Sequence, residues 1–407
     1  MPTTDLPSPS PISQVPARTA AVVIGAGPAG LAASACLGQL GIQACVLERS
    51  DSVGASWRSH YRRLHLHTVK ELSALPGLPF PAQAPRYVPR EQVVRYLEDY
   101  AVHFGIQPLF GVAVRRIEPL AAGTGWAVTC EDGQRIEAPH VVVASGANAR
   151  PRRPELPGEQ TYEGTVLHSH AYRDPAPFAG QRVLVVGMGN TGAEIALDLC
   201  EAGVEVALSV RSAVNIVHRD VLGRPTQRTS ILLGRLPPRL GHTLATWLRN
   251  LTVGDLSHWG LRTPGTSPLA QLREEGRTPV IDVGTLTRIR AGDIRVHPGI
   301  ERLLGRGVRF TDGQEVPFDS IVLATGYEAG LRDLVPDVNL GLDPRGLPLE
   351  AIGRGASSGL HFTGFDLRQP GGLLRTIGEQ AQEIANQVAN EVSAGAARQP
   401  AGQMPQI

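Results

Sequence analysis

Two runs of the form Gly-x-Gly-x-x-Gly carry the first chemistry legible in this chain: GAGPAG, with Gly25, Gly27 and Gly30, and GMGNTG, with Gly187, Gly189 and Gly192. This spacing suits backbone recognition of a pyrophosphate. The first glycine permits a tight turn, the second lets N–H groups approach the anion, and the third lets a helix pack close to the preceding strand. The helix N-terminus then offers its partial positive charge. Pro28 and Ala29 in the first run, and Asn190 and Thr191 in the second, complete the residues expected around each anion. A single run of this kind is weak evidence. Here each follows an apolar β-branched stretch and opens an Ala/Leu-rich one, and each has a charged residue about 20 positions on, at the end of the next strand-like segment.

Those two charged residues differ. Glu48, in LERS, is suited to accept hydrogen bonds from ribose hydroxyls, so the first cleft reads as a site for FAD or NAD. Arg211, in VRS, would pair with a 2′-phosphate through its planar fork, so the second reads as a site for NADP.

Two further stretches hold residues that could do chemistry. YEGTVLHSHAYRD sets Gly164, His168 and Tyr172 at four-residue intervals, yet its His-Ser-His and nearby proline read as loop. HLHT would place His65 and His67 on one face of a strand. That pattern invites a metal reading, but no third ligand is evident nearby and no metal is expected. The cysteines Cys36, Cys45, Cys130 and Cys200 form no Cys-x-x-Cys pair.

The elements that position these residues repeat. AAVVIGAGPAGLAASACLGQLG followed by IQACVLERS has the same plan as RVLVVGMGNTGAEIALDLCEAG followed by VEVALSVRS. WAVTCEDGQRIEAPHVVVASG and VRFTDGQEVPFDSIVLATG are near copies, each with an Asp-Gly turn, a second strand and an apolar strand ending in a small residue and glycine. The expected fold is therefore α/β: two Rossmann-like dinucleotide-binding domains, each with a β-meander leading back to its parallel sheet. From Leu222 to Val280 the chain is less informative. Leu240, Leu244, Leu248 and Leu251 recur at helical spacing there, which reads first as a core-facing helix and otherwise as a lid or membrane-touching surface.

Bulk properties narrow the function. With 407 residues the chain can bury a sizeable core. A formal net charge of +1 argues against nucleic acid as a main partner. Sparse cysteine suits a reducing compartment, and the cytoplasm is expected. No run of 18 apolar residues exists, so no membrane span is expected.

With GAGPAG, LERS, Trp57, RLHLHTVKELSALPGLPFP, GMGNTG, IDVGTLTRIRAGDIRVHPGI and LATGY in view, the chain resembles the class B flavin-dependent monooxygenases, in their YUCCA-like branch. YEGTVLHSHAYRD fits the family's linker motif, with Tyr162 where Phe is usual. Tyr172 stands where Baeyer–Villiger relatives carry Trp, and so points away from that branch. The resemblance implies FAD and NADPH as cofactors and an NADP domain inserted in the FAD domain. The expected organisation is a disordered leader (1–18), the first part of the FAD domain (19–164), the NADP domain (165–326), a return segment of the FAD domain (327–392) and a disordered tail (393–407). It also implies that Glu48 and Arg49 hold the adenosine part of FAD, that Val114 touches adenine through its backbone, and that Trp57, His67 and Thr68 lie near the isoalloxazine. Gly371 and Gly372 would approach the flavin. His168 and Tyr172 would pack or hydrogen-bond near the nicotinamide cofactor and couple the domains, and Thr325 and Gly326 are further cofactor-binding candidates. His67, Thr68 and Asn190 are the catalytic candidates, in positioning roles.

The implied reaction uses a C4a-peroxyflavin, with a small-molecule substrate and O₂ as partners and a homodimer as one expected assembly. An aromatic 2-oxo acid such as indole-3-pyruvate is the expected substrate, with N- or S-oxygenation as the alternative. A disulfide reductase would need a redox cysteine pair beside the flavin. A non-catalytic flavin-binding sensor would have little use for the second nucleotide cleft.

Overall fold

The structure, a computed structural model, describes residues 14–121 and 125–398. Two five-stranded sheets organise it. The first has the order Leu360–Phe362, His140–Val143, Ala21–Ile24, Ala44–Glu48, Leu109–Phe110. The second has the order Ile294–His297, Glu205–Ser209, Arg182–Val186, Ser320–Leu323, Thr165–His168. All pairings in both are parallel. Strands of this kind are covered on both faces and so read as continuous apolar runs. Ala21, Val22 and Val23, like Val183, Leu184 and Val185, are fully buried.

The two halves are built alike. A helix follows each central strand, Pro28–Gln39 in one and Asn190–Glu201 in the other. A three-stranded antiparallel meander then leads back to each sheet, from Val114–Pro119, Trp126–Cys130 and Arg135–Ala138 in the first half, and from Ile300–Leu304, Gly307–Phe310 and Glu315–Pro317 in the second. The second sheet lies entirely within the chain that leaves the first after Val143 and rejoins it at Leu360. The outgoing strand Arg150–Pro151 and the returning strand Tyr327–Glu328 pair antiparallel, forming a two-stranded ribbon between the halves. The closing helix, Leu373–Arg398, packs along Pro28–Gln39, with Ile377, Ala381, Ile384, Ala385 and Val388 buried in the first core.

Several expectations are corrected. Part of the supposed leader is ordered: Val15 N–H donates to Gln134 Oε1 (3.0 Å) and Glu137 N–H to Ala17 C=O (2.9 Å), which tacks residues 14–18 onto the first meander. Residues 1–13 lie outside the described residues. The tail begins later than position 393, because the final helix continues to Arg398; residues 399–407 lie outside the described residues. The leucine stripe is not core-facing. Leu222–Val280 contains three helices, Thr226–Gly234, Pro238–Val253 and Pro268–Glu275. On the second of them Leu240, Leu244 and Leu251 are exposed, whereas Leu248 turns inward to line an apolar cavity with Leu233, Leu269 and Leu272.

Candidate cofactor clefts and their shared floor

Both glycine loops sit at the carboxyl ends of parallel strands, where open α/β sheets bind ligands. Their three glycines meet different surroundings. Gly25 and Gly187 adopt positive φ (109° and 102°). A Cβ on Gly30 would lie 1.8 Å from Gly25 O, and one on Gly192 2.0 Å from Gly187 O, so the third glycine lets the helix lie on its own loop. Gly27 and Gly189 are the opposite case. A Cβ on either would meet no heavy atom of the chain within 4 Å. The space in front of the middle glycine is thus a cradle that a side chain would fill, at a helix N-terminus. Pro28 and Ala29 begin one helix; Asn190 and Thr191 begin the other.

Orphaned polar atoms gather at the first cleft. Ser145 lies two residues past Val143 at the end of one sheet strand and Thr363 follows Phe362 at the end of another; both hydroxyls are buried without a protein partner, as is His67 Nδ1. Buried polar groups are ordinarily hydrogen-bonded. This set fits a bound dinucleotide at the sheet's carboxyl edge.

Glu48 closes the first strand–helix–strand unit. Its carboxylate accepts from Ala26 N–H (2.7 Å), Ser50 N–H (2.9 Å) and Ser50 Oγ (2.8 Å). It therefore braces the glycine loop, and an ionised carboxylate retains acceptor capacity beyond three bonds. Arg49 beside it is exposed. Val112 N–H donates to Glu48 C=O (3.0 Å), which brings Val114 alongside. In the second cleft Arg211 is exposed, and its guanidinium makes no ion pair among the described residues. Arg262, which sequence reasoning missed, donates to Arg211 C=O (2.6 Å) and sets a second guanidinium there.

The floor between the clefts is built by residues 60–90 of the first half lying against the second. HLHT is not a strand and its histidines part company. His65 Nδ1 contacts Arg63 C=O (2.6 Å), while His67 Nε2 lies 2.5 Å from Glu194 Oε1, on the helix that opens with GMGNTG. Glu194 is buried and was not singled out in the sequence; an acidic residue inside an otherwise apolar helical turn was the available signal. Thr68 shares a hydrogen bond with Ser73 Oγ (2.7 Å) and touches the position a Cβ on Gly372 would take (2.6 Å). Gln227, also missed, ties three segments. Its Oε1 accepts from Val69 N–H (2.8 Å) and its amide donates to Gly371 C=O. Trp57 packs on the first core and meets His60 edge-on, with ring centroids 6.2 Å apart. Burial lowers the His60 pKa to about 4, so that ring is neutral at physiological pH.

Other candidates serve the frame. Asn190 Oδ1 accepts from Ile281 N–H (2.7 Å) and its amide reaches Pro279 C=O (3.4 Å), anchoring the Val280–Asp282 strand. The linker motif pins the chain to the second sheet. Thr165–His168 is that sheet's edge strand, Tyr162 OH donates to Phe318 C=O (2.8 Å), and a Cβ on Gly164 would strike Asp319 O at 2.5 Å. His168 Nδ1 accepts from His170 N–H (3.0 Å), so its Nε2–H donates to Gly326 C=O (3.1 Å) and holds the LATGY loop. Burial depresses the His168 pKa, consistent with this neutral tautomer. In the same loop Thr325 Oγ1 donates to Arg152 C=O (2.5 Å).

Tyr172 is corrected most clearly. It is buried, stacks on Phe178 and meets Tyr61 edge-on, and its hydroxyl donates to Asp198 Oδ2 (2.8 Å), far along the helix from the glycine loop. Desolvation and the Asp198 bond push its pKa well above the ordinary value. Tyr172 couples the halves and does not line a cleft. Tyr172→Phe is accordingly expected to lower unfolding stability by about 1–3 kcal/mol, because Asp198 loses its donor, with the KM for NADPH unchanged. Denaturant melts and initial rates on one preparation check this; a raised KM at unchanged stability would return Tyr172 to the cleft.

All four cysteines are free thiols. Burial pushes Cys36 and Cys45 up to about 11, which disfavours the reactive thiolate. Among the described residues no helix is long and apolar enough to cross a membrane.

Comparisons with known proteins agree with this geometry. A family model described as pyridine nucleotide-disulphide oxidoreductase matches residues 22–225. The chain is 42% identical over 361 residues to an indole-3-pyruvate monooxygenase, YUCCA1, of Oryza sativa subsp. japonica, covering 88% of each chain. It is 38% identical over 375 residues to a probable indole-3-pyruvate monooxygenase, YUCCA1, of Arabidopsis thaliana, covering 91% of this chain and 89% of the relative. Among solved structures, a flavin-containing monooxygenase from Stenotrophomonas maltophilia superposes with a TM-score of 0.70 at 25% identity, over 92% of this chain and 99% of that one. Cyclohexanone monooxygenase from Rhodococcus sp. Phi1, bound to NADP+, shares the fold at a TM-score of 0.66 and 18% identity, over 93% of this chain and 85% of that one. The chain belongs to the flavin-dependent monooxygenase family, in its YUCCA-like branch, and is an enzyme that works with FAD and NADPH.

Proposed function

We propose that this enzyme converts an aromatic 2-oxo acid, with indole-3-pyruvate as the leading substrate, into the acid one carbon shorter. For indole-3-pyruvate the products are indole-3-acetate, CO₂, H₂O and NADP⁺, from one O₂, one NADPH and one proton. The observation that carries this reading is the 42% identity to an indole-3-pyruvate monooxygenase across 88% of both chains.

The flavin, when bound, supplies the redox chemistry that activates O₂. The chain's own residues bind, orient and exclude water. The Gly25–Gly30 loop would hold the FAD pyrophosphate, Glu48 and Arg49 the adenosine side, and the Val114 backbone the adenine. Trp57, His67, Thr68, Gly371 and Gly372 would border the ring system. The Gly187–Gly192 loop with Thr191 would hold the NADPH pyrophosphate, and Arg211 its 2′-phosphate. His67, held by Glu194 through Nε2, keeps Nδ1 available on the floor. Its role is to fix a polar contact in place, which needs no nucleophile or acid–base pair. We place the reaction in the cytoplasm, where free thiols such as Cys36 and Cys45 persist.

The test is turnover of indole-3-pyruvate under ¹⁸O₂ with NADPH, followed by mass spectrometry. Indole-3-acetate carrying one ¹⁸O, formed in step with NADPH oxidation, is the expected result. NADPH oxidation that yields only H₂O₂ with 2-oxo acids, alongside oxygenated sulfide or amine products, would replace this reading with heteroatom oxygenation.

A further inference from the structure

The hairpin of helices Thr226–Gly234 and Pro238–Val253 presents a surface that neither cleft uses. Its exposed apolar side chains are large: Leu232 (62% exposed) on the first helix, and Leu240, Leu244, Trp247 (62%) and Leu251 (67%) on the second, with Leu222 (97%) in the turn that precedes them. On the second helix Leu240, Leu244, Trp247 and Leu251 share one side, within an arc of about 60° at the helical period. They run along about 16 Å of helix. A neighbouring flank of that helix, about 100° round and running through Ala245, Leu248 and Thr252, borders the apolar cavity, so the outer stripe is additional to its packing inside the protein. A contiguous exposed apolar patch of this kind marks an interaction surface.

The charge around the stripe says what covers it. From Leu222 to Gly254 the sequence has five arginines, Arg224, Arg228, Arg235, Arg239 and Arg249, and no aspartate or glutamate. Arg249 is buried, held by Asn215 Oδ1 (2.6 Å) and Asn250 Oδ1 (2.9 Å). The other four are exposed. Arg228 has Glu71 at 4.0 Å, while Arg224, Arg235 and Arg239 have no carboxylate at ion-pair distance among the described residues. Arg235 and Arg239 flank the hairpin turn, next to Leu232 and Leu240. Because the whole chain is nearly neutral, the hairpin is a local cationic excess.

We propose that this hairpin docks the enzyme on the surface of an anionic lipid bilayer. It would lie in the interface, with the leucines and Trp247 among the acyl chains and headgroups and the arginines on the lipid phosphates. Basic residues beside an apolar stripe are the composition of interfacial helices, and Trp favours the headgroup level. A second copy of the chain fits less well, because a twofold contact through this face would set arginines against arginines. Docking needs no spanning segment, in keeping with the absence of a helix long and apolar enough to cross a bilayer among the described residues.

The test is sedimentation of the FAD-loaded full chain with vesicles of phosphatidylcholine alone and of phosphatidylcholine mixed with phosphatidylglycerol. Binding is expected to the mixed vesicles and to weaken as salt is raised. Arg235→Ser with Arg239→Ser should weaken that binding about tenfold or more. Leu244→Ser with Trp247→Ser should abolish it. All four positions are exposed, so the flavin absorbance of each variant should match that of the parent and so report an intact fold. Failure to sediment with the mixed vesicles at low salt would overturn the proposal. So would a concentration-dependent dimer that Trp247→Ser dissolves while no vesicle binding is seen, which would assign the face to a second copy.

Discussion

A chain carrying Gly27→Val is expected to fold and to purify colourless. Gly27 has φ −83° and ψ −174°, an extended conformation open to any residue, and an added Cβ meets no atom of the protein within 4 Å. The polypeptide does not need glycine there; a pyrophosphate held as proposed would. Valine would occupy the cradle and hold the anion away from the N–H groups that open the Pro28–Gln39 helix. Hydrogen bonds to a charged group contribute about 1.5–3 kcal/mol each, so losing two would weaken FAD binding by roughly 10²- to 10⁴-fold. The flavin-to-protein absorbance ratio should fall to near zero while the far-UV circular dichroism spectrum is retained. Gly30→Val supplies the contrast: its Cβ would sit 1.8 Å from Gly25 O, so fold and cofactor should be lost together. A fully yellow Gly27→Val protein would place the pyrophosphate elsewhere.

Arg211→Ala is expected to cost discrimination between the nicotinamide cofactors. The Arg211 side chain is exposed at the end of the Glu205–Ser209 strand, with no carboxylate partner to give up on binding. Losing one charge-assisted contact to a 2′-phosphate should reduce kcat/KM for NADPH by about 10- to 100-fold. NADH lacks that phosphate and should be affected little. Arg262 lies beside Arg211 and softens the loss, so the double variant should fall further. Equal losses with both nucleotides in steady-state rates would remove Arg211 from this role.

The repeated architecture was readable because its causes are local. Glycine spacing, continuous apolar strands and Asp-Gly turns each act over a few residues, and each occurs twice. What could not be read was which groups meet across long stretches of chain. Glu194 finds His67, Gln227 finds Val69 and Gly371, and Asp198 finds Tyr172, at sequence separations no periodicity reports. The family resemblance implies a place for Tyr172 near the nicotinamide, as part of the linker motif with Gly164 and His168. The chain turns after His168, and the ring enters the core instead. Asn190 misled for another reason: a polar residue at the mouth of a glycine loop can serve the ligand or the neighbouring strand, and here it serves the strand. The leucine stripe shows the limit of helical periodicity, which finds the apolar side of a helix but not whether the protein covers it.

The ribbon of Arg150–Pro151 and Tyr327–Glu328 ties the two crossings between the halves into one tether. The ribbon acts alongside the contacts that residues 60–90 make with the second half, such as His67 with Glu194 and Tyr87 with Asp220. Any shift of one half against the other must therefore carry both strands together or part the pairs Pro151–Tyr327 and Arg150–Glu328.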